Sequence, residues 1–157
     1  MKSLVAYYSK TGNTEKIAKA IAKGLGADLR RIEEINNVSE YDLICVGTPV
    51  YGFAPANPVK EFLEKIPHLP NRKGAAFCTM HAFGDKRTLR IIKEKMENEE
   101  VVFLGGFSCR GLSRIFANFG PKILNKGKPN EDDLKRAEGF GKRLLTEAEK
   151  SETYGKS

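Results

Sequence analysis

The tightest constraint is a repeated alternation: short unbroken apolar runs, each followed by a stretch with helical periodicity. Leu4-Val5-Ala6-Tyr7-Tyr8, within residues 2–8, is the first such run. A run of this kind suits a strand covered on both faces, as in a parallel sheet. Residues 14–25 follow, with Ile17, Ala18, Ile21, Ala22 and Leu25 on one helical stripe. Gly24 and Gly26 stop that helix. The unit then recurs. Residues 27–35 read as a charged, exposed strand and 41–47 as a strongly apolar one. Residues 57–66 read as a helix with Pro58 in its first turn, where proline is tolerated. Residues 74–80 give a fourth strand, 85–98 a helix with Leu89, Ile92 and Met96 inward, and 101–107 a fifth strand. Asn130 caps a last helix whose first turn, Glu131-Asp132-Asp133, suits the positive end of the helix dipole. It is expected to run to about Glu149, leaving 150–157 frayed. Strand–helix alternation of this kind predicts an α/β fold, a parallel sheet with helices on both faces.

Length and composition agree. With 157 residues, 40% hydrophobic and 30% charged, the chain is expected to form one soluble domain over 1–150. No apolar stretch approaches the roughly 20 residues of a membrane span, and the N-terminus does not read as a signal peptide. Three cysteines without a C-x-x-C pair argue against a disulfide scaffold and a zinc site, and fit a cytoplasmic location. Cys45 and Cys78 fall in strands expected to be neighbours. Cys109, at the end of the fifth strand, is the one expected to be exposed. The net charge of +7 suits solubility, an anionic ligand or an acidic partner; no nucleic-acid recognition motif accompanies it.

Chemistry is expected in the loops at the carboxyl ends of the strands. Ser9-Lys10-Thr11-Gly12-Asn13-Thr14 lies between the first strand and a helix N-terminus. Backbone N–H groups, the helix dipole, Gly12 and the side chains of Ser9, Thr11, Asn13 and Thr14 together make an anion cradle. It is neither a G-x-G-x-x-G nor a G-x-x-x-x-G-K-[ST] loop. A hydroxyl-rich loop with one lysine suits a terminal monophosphate better than a pyrophosphate or triphosphate. This loop resembles the phosphate loop of the flavodoxin family, whose T/S-x-T-G-x-T fingerprint is matched by Ser9, Thr11, Gly12 and Thr14. The resemblance extends over roughly the whole chain. It implies the flavodoxin-like three-layer sandwich, a five-stranded parallel sheet in the order 2-1-3-4-5, with FMN as cofactor. No insertion splits the fifth strand, so the chain looks like the short-chain type.

Two further loops are expected to hold the flavin ring. After the third strand come Thr48, Pro49, Val50, Tyr51, Gly52 and Phe53, stiffened by prolines and offering flat aromatic faces. The resemblance implies that this loop covers the isoalloxazine, with Tyr51 flanking it and Thr48 and Gly52 supplying polar or backbone contacts. The family often uses a tryptophan beside the ring, and this chain has none. After the fourth strand come Thr79, Met80, His81, Phe83, Gly84 and Asp85. Family members often carry several acids there, whereas here Lys86 and Arg87 stand against Asp85. That balance implies a last reduction potential less negative than is usual for the family. His81 is a solvated loop histidine that could also supply a proton. No catalytic side chain and no metal site are evident.

The expected function is a low-potential electron carrier between redox proteins, acidic ones among them. The alternative is an NAD(P)H-dependent FMN or quinone reductase on the same fold. Neither nucleic acid nor membrane is an expected partner, and the chain is expected to be a monomer or weak dimer. Residues 108–129 break the strand–helix rhythm. They hold Arg110, Arg114, Lys122, Lys126 and Lys128 and no acid. Leu112, Ile115, Phe116 and Phe119 recur at i, i+3, i+4 and i+7, which predicts a short helix with a basic outer face, stopped by Gly120 and Pro121.

Overall fold

The computed structural model describes residues 1–117 and 120–154, with the backbone alone at 113–117, 120–124 and 152–154. Five strands lie parallel: β1 (Ser3–Tyr7), β2 (Asp28–Arg31), β3 (Leu43–Tyr51), β5 (Lys73–Met80) and β6 (Val102–Arg110). Their order is β2-β1-β3-β5-β6. A two-residue strand, β4 (Ala54–Pro55), folds back antiparallel onto the end of β3, pairing Val50 with Pro55 and Tyr51 with Ala54. This is the flavodoxin-like sheet expected from the sequence, with β4 added. The third strand runs beyond the expected Gly47, so Thr48 to Tyr51 are strand residues rather than loop.

Side chains alternate between the two faces of each strand. Val5 and Tyr7 of β1 face one way, with Cys45, Phe77 and Phe107 of the neighbouring strands. They are covered by α1 (Asn13–Leu25) and α4 (Glu131–Tyr154), through Ile17, Ile21, Phe140 and Leu144. Leu4 and Ala6 face the other way with Ile44, Val46 and Ala76. There α2 (Asn57–Glu64) and α3 (Asp85–Asn98) cover them with Val59, Leu63, Ile92 and Met96. The helix α1 crosses α4 at backbone contact. A Cβ on Gly24 would stand 2.0 Å from the Glu138 carbonyl oxygen, and one on Gly141 would stand 2.3 Å from that of Ile21. Only glycine fits at this crossing. The helix α4 runs through Tyr154, past the expected end at Glu149; residues 155–157 of the expected frayed tail lie outside the described residues.

The stretch after β6 is not a helix. It forms an antiparallel hairpin, β7 (Ser113–Ala117) and β8 (Gly120–Leu124), with Ile115 opposite Lys122 and Phe116 opposite Pro121. A short apolar run satisfies helical and strand periods alike, and here tertiary context selects the strand. Pro121 is compatible with it because both strands of a two-stranded ribbon are edges, where a missing N–H costs little. Of the expected helical stripe, Phe119 lies outside the described residues. Cys109 is also corrected: it is 4% exposed, facing the α4 side with Phe107 and Phe140. Burial pushes its thiol up to about 12. Cys45 and Cys78 are buried in the paired strands β3 and β5, as expected.

Candidate functional site

The carboxyl ends of β1, β3, β5 and β6 converge on one cavity of about 430 Å³, a size typical of small-molecule sites. Its polar end is the loop between β1 and α1. No side chain caps α1, so the N–H groups of its first turn are left to a ligand or solvent. Gly12 stands just before that turn with φ +90°, a left-handed conformation natural to glycine, and its N–H donates to Ser9 Oγ at 3.1 Å. Lys10, Thr11, Asn13 and Thr14 line the cavity, while Ser9 and Gly12 lie behind the lining. The Thr14 hydroxyl is buried and sits 2.7 Å from that of Thr79, tying α1 to the end of β5.

The flat end is built by β3. Pro49, Val50 and Tyr51 line the cavity, and Tyr51 remains 43% exposed. Burial raises the Tyr51 phenol above its ordinary value, and the neighbouring Tyr8 adds to the shift. Thr48 does not reach the cavity. Its buried hydroxyl accepts the Ala56 N–H at 3.0 Å and donates to the Pro49 carbonyl at 2.8 Å, which fixes the turn into β4. Gly52 and Phe53 are outside the lining and exposed.

From the end of β5, Thr79, Met80 and His81 line the cavity. Phe83 is 76% exposed and outside it, Gly84 precedes α3 as its N-cap, and the Asp85 carboxylate accepts the Ser108 hydroxyl at 2.9 Å. The sequence thus named ten of the lining residues and missed Gly111 and Leu112. Both follow β6 at the same edge of the sheet, where ligands of such sheets bind, and that rule alone could have found them. They are held firmly. The Asn13 side chain donates to the Leu112 carbonyl at 2.8 Å, and Asn125 donates to the carbonyls of His81 at 2.7 Å and Gly111 at 3.1 Å. The base of the hairpin is therefore clipped to two of the cavity loops.

Arg31 was not foreseen. It is the last residue of the edge strand β2, and its guanidinium donates to the Ser9 carbonyl at 3.0 Å while lying over the Tyr7 ring. The pairing of β2 with β1 sets Arg31 beside Tyr7, just before the loop begins. It braces the loop between β1 and α1 from outside, with Glu15 and Glu33 beside its guanidinium.

Residues 4–119 match the model of the flavodoxin domain family. The chain belongs to the flavodoxin family. An uncharacterized protein of Methanocaldococcus jannaschii is 37% identical over 151 residues, covering 92% of this chain and 99% of that one. An NAD(P)H dehydrogenase (quinone) of Archaeoglobus fulgidus is 26% identical over 187 aligned positions, covering 94% of this chain and 97% of its own. Among solved structures, a flavodoxin from the domain Archaea superposes with a TM-score of 0.73 at 20% identity, covering 95% of this chain and 99% of that one. Among the described residues of this flavodoxin-family chain, no helix is long and apolar enough to cross a membrane.

Proposed function

We propose that this chain binds FMN in the cavity at the carboxyl edge of its sheet and carries electrons between redox proteins. The observation that supports this best is the cavity's two-ended chemistry. An uncapped helix N-terminus with Thr11, Asn13 and Thr14 stands at one end, and the flat face of Tyr51 at the other. A phosphate on a short polar chain, joined to a planar tricycle, fits that arrangement. FMN supplies the electron-transfer chemistry; the chain binds it, orients it and sets the field around it. Ser9 to Thr14 hold the phosphate, Pro49 to Tyr51 lie along the ring, and Thr79 to His81 with Gly111 and Leu112 close the cavity floor.

The carrier reading is favoured over a stand-alone reductase by the insertions that a quinone-reducing relative carries within the aligned region. The alignment with the Archaeoglobus quinone dehydrogenase spans 187 positions against the 157 residues of this chain, so that protein carries insertions absent here. The test is spectroscopic. Protein loaded with FMN and held without oxygen should stay yellow on addition of NADPH or NADH and bleach with dithionite. Rapid bleaching by either nicotinamide nucleotide alone would replace the carrier with the reductase.

Tyr51 gives a sharper local check. Tyr51→Ala should weaken FMN binding by about 1 kcal/mol, the order of an aromatic stack, and restore flavin fluorescence in the complex. Unchanged emission and affinity would place the ring elsewhere.

A further inference from the structure

We infer that the carboxyl edge of the sheet is a docking face for a redox protein with an acidic rim around an apolar centre. This rests on the carrier reading and names the chemistry of its partner. Three exposed cations stand together on the β5–β6 side of this edge: Lys86 and Arg87 in the first turn of α3, and Arg110 at the end of β6, paired in register with Met80 at the end of β5. Among the described residues none of these three has an ion-pair partner. Cations elsewhere on the surface are commonly neutralised, as in Lys19–Glu15, Lys23–Glu138, Arg72–Asp42 and Lys142–Glu138.

Acids stand at this edge as well, on other elements: Glu131 and Asp132 are exposed at the start of α4, and Glu34 follows β2. Asp85 is engaged by the Ser108 hydroxyl, and Glu15 is shared between Lys19 and Arg31. Asp133 is buried and held by Lys128, so Lys128, counted by the sequence among the basic residues here, is already paired. Lys86 and Arg87 also stand against a local rule. The first turn of a helix favours acids, because the dipole there is positive, yet these two cations occupy the start of α3.

The centre of the face is apolar. Phe53 is 54% exposed and Phe83 76%. The two loops that carry them touch, since a Cβ on Gly84 would lie 3.0 Å from the Phe53 Cα. Exposed aromatics beside unpaired cations have the anatomy of a docking surface, with the charges setting encounter rate and partner choice. Charge complementarity fixes the partner as acidic.

The experiment uses two high-potential acceptors of like chemistry and opposite charge: an acidic and a basic c-type cytochrome. The FMN-loaded, fully reduced protein is mixed with each across a salt series. Reduction of the acidic cytochrome should be faster at low salt by roughly tenfold or more, and should slow as salt is added. The basic cytochrome should speed up with salt. In Lys86→Glu/Arg87→Glu/Arg110→Glu, whose new acids suit the start of α3, the preference should reverse while the flavin spectrum is unchanged. Binding of the acidic cytochrome to flavin-free protein, read by surface plasmon resonance, should weaken in the same variant.

Equal rates with both cytochromes, no salt dependence, or no change in the variant would overturn the docking face and leave the carrier reading intact. Failure to reduce either cytochrome at any salt, with FMN bound and reducible, would overturn the carrier reading and the docking face with it. Bleaching of the flavin by NADPH, lost in the triple variant, would assign the cations to a nucleotide phosphate instead and overturn the docking proposal.

Discussion

Gly141→Ala destabilises the fold by about 3 kcal/mol, the upper part of the range for forcing extra volume into a packed contact. The methyl group would stand 2.3 Å from the Ile21 carbonyl oxygen, and the next nearest atom is the Leu25 backbone nitrogen at 2.9 Å. Both obstacles are backbone, so no side chain can turn away; α1 and α4 must separate. That separation also loosens Ile17, Ile21, Phe140 and Leu144 against the sheet. Gly139→Ala is the control. It sits in the same helix with nothing within 4 Å of its added methyl. There the gain in helix propensity, up to about 1 kcal/mol, should appear as a small stabilisation. Urea midpoints of the two variants measure the difference. Equal midpoints would mean that the helices do not meet at backbone contact.

The second large effect separates phosphate from ring. FMN should bind roughly a hundredfold or more tighter than riboflavin, since each charge-assisted hydrogen bond to the phosphate contributes about 1.5–3 kcal/mol. Thr14→Ala should weaken FMN by about 1–3 kcal/mol and leave riboflavin nearly unchanged. The variant also strips the buried Thr79 hydroxyl of its partner at 2.7 Å. A small loss of stability is therefore expected alongside. Comparing the two ligands in one variant separates these effects: a fall confined to FMN marks a phosphate contact, and an equal fall for both marks general damage to the cavity.

The sheet was legible in the sequence because its strands are buried on both faces. Their apolar runs at 41–47 and 74–80 leave no competing interpretation, and the helices between them carry clean stripes. The loop between β1 and α1 was legible for a different reason: its residues are local in the chain, so spacing alone places them at one helix N-terminus. What failed was non-local. The hairpin at 113–124 has too few residues to distinguish two periods, and its partner strand is supplied by the same ambiguous stretch. Thr48 was read as a ligand contact because it is polar and well placed; its hydroxyl is instead occupied by the Ala56 N–H. Arg31 looked like one more charge on an exposed strand, and only the pairing of β2 with β1 brings it to the Ser9 carbonyl. Cys109 was expected at the surface because β6 seemed to end sooner; the strand continues to Arg110, under α4.

The three buried thiols give the molecule an internal gauge of its own breathing. Cys45, Cys78 and Cys109 lie on β3, β5 and β6, and burial raises all three away from the reactive thiolate form. A thiol reagent can reach them only when the sheet opens, so labelling speed counts the open population rather than surface chemistry. The strand β6 lies at the border of the parallel sheet, while β3 and β5 are flanked on both sides. The order of labelling therefore tells whether the sheet peels from that border, with Cys109 marked first, or comes apart in one event, with all three marked together.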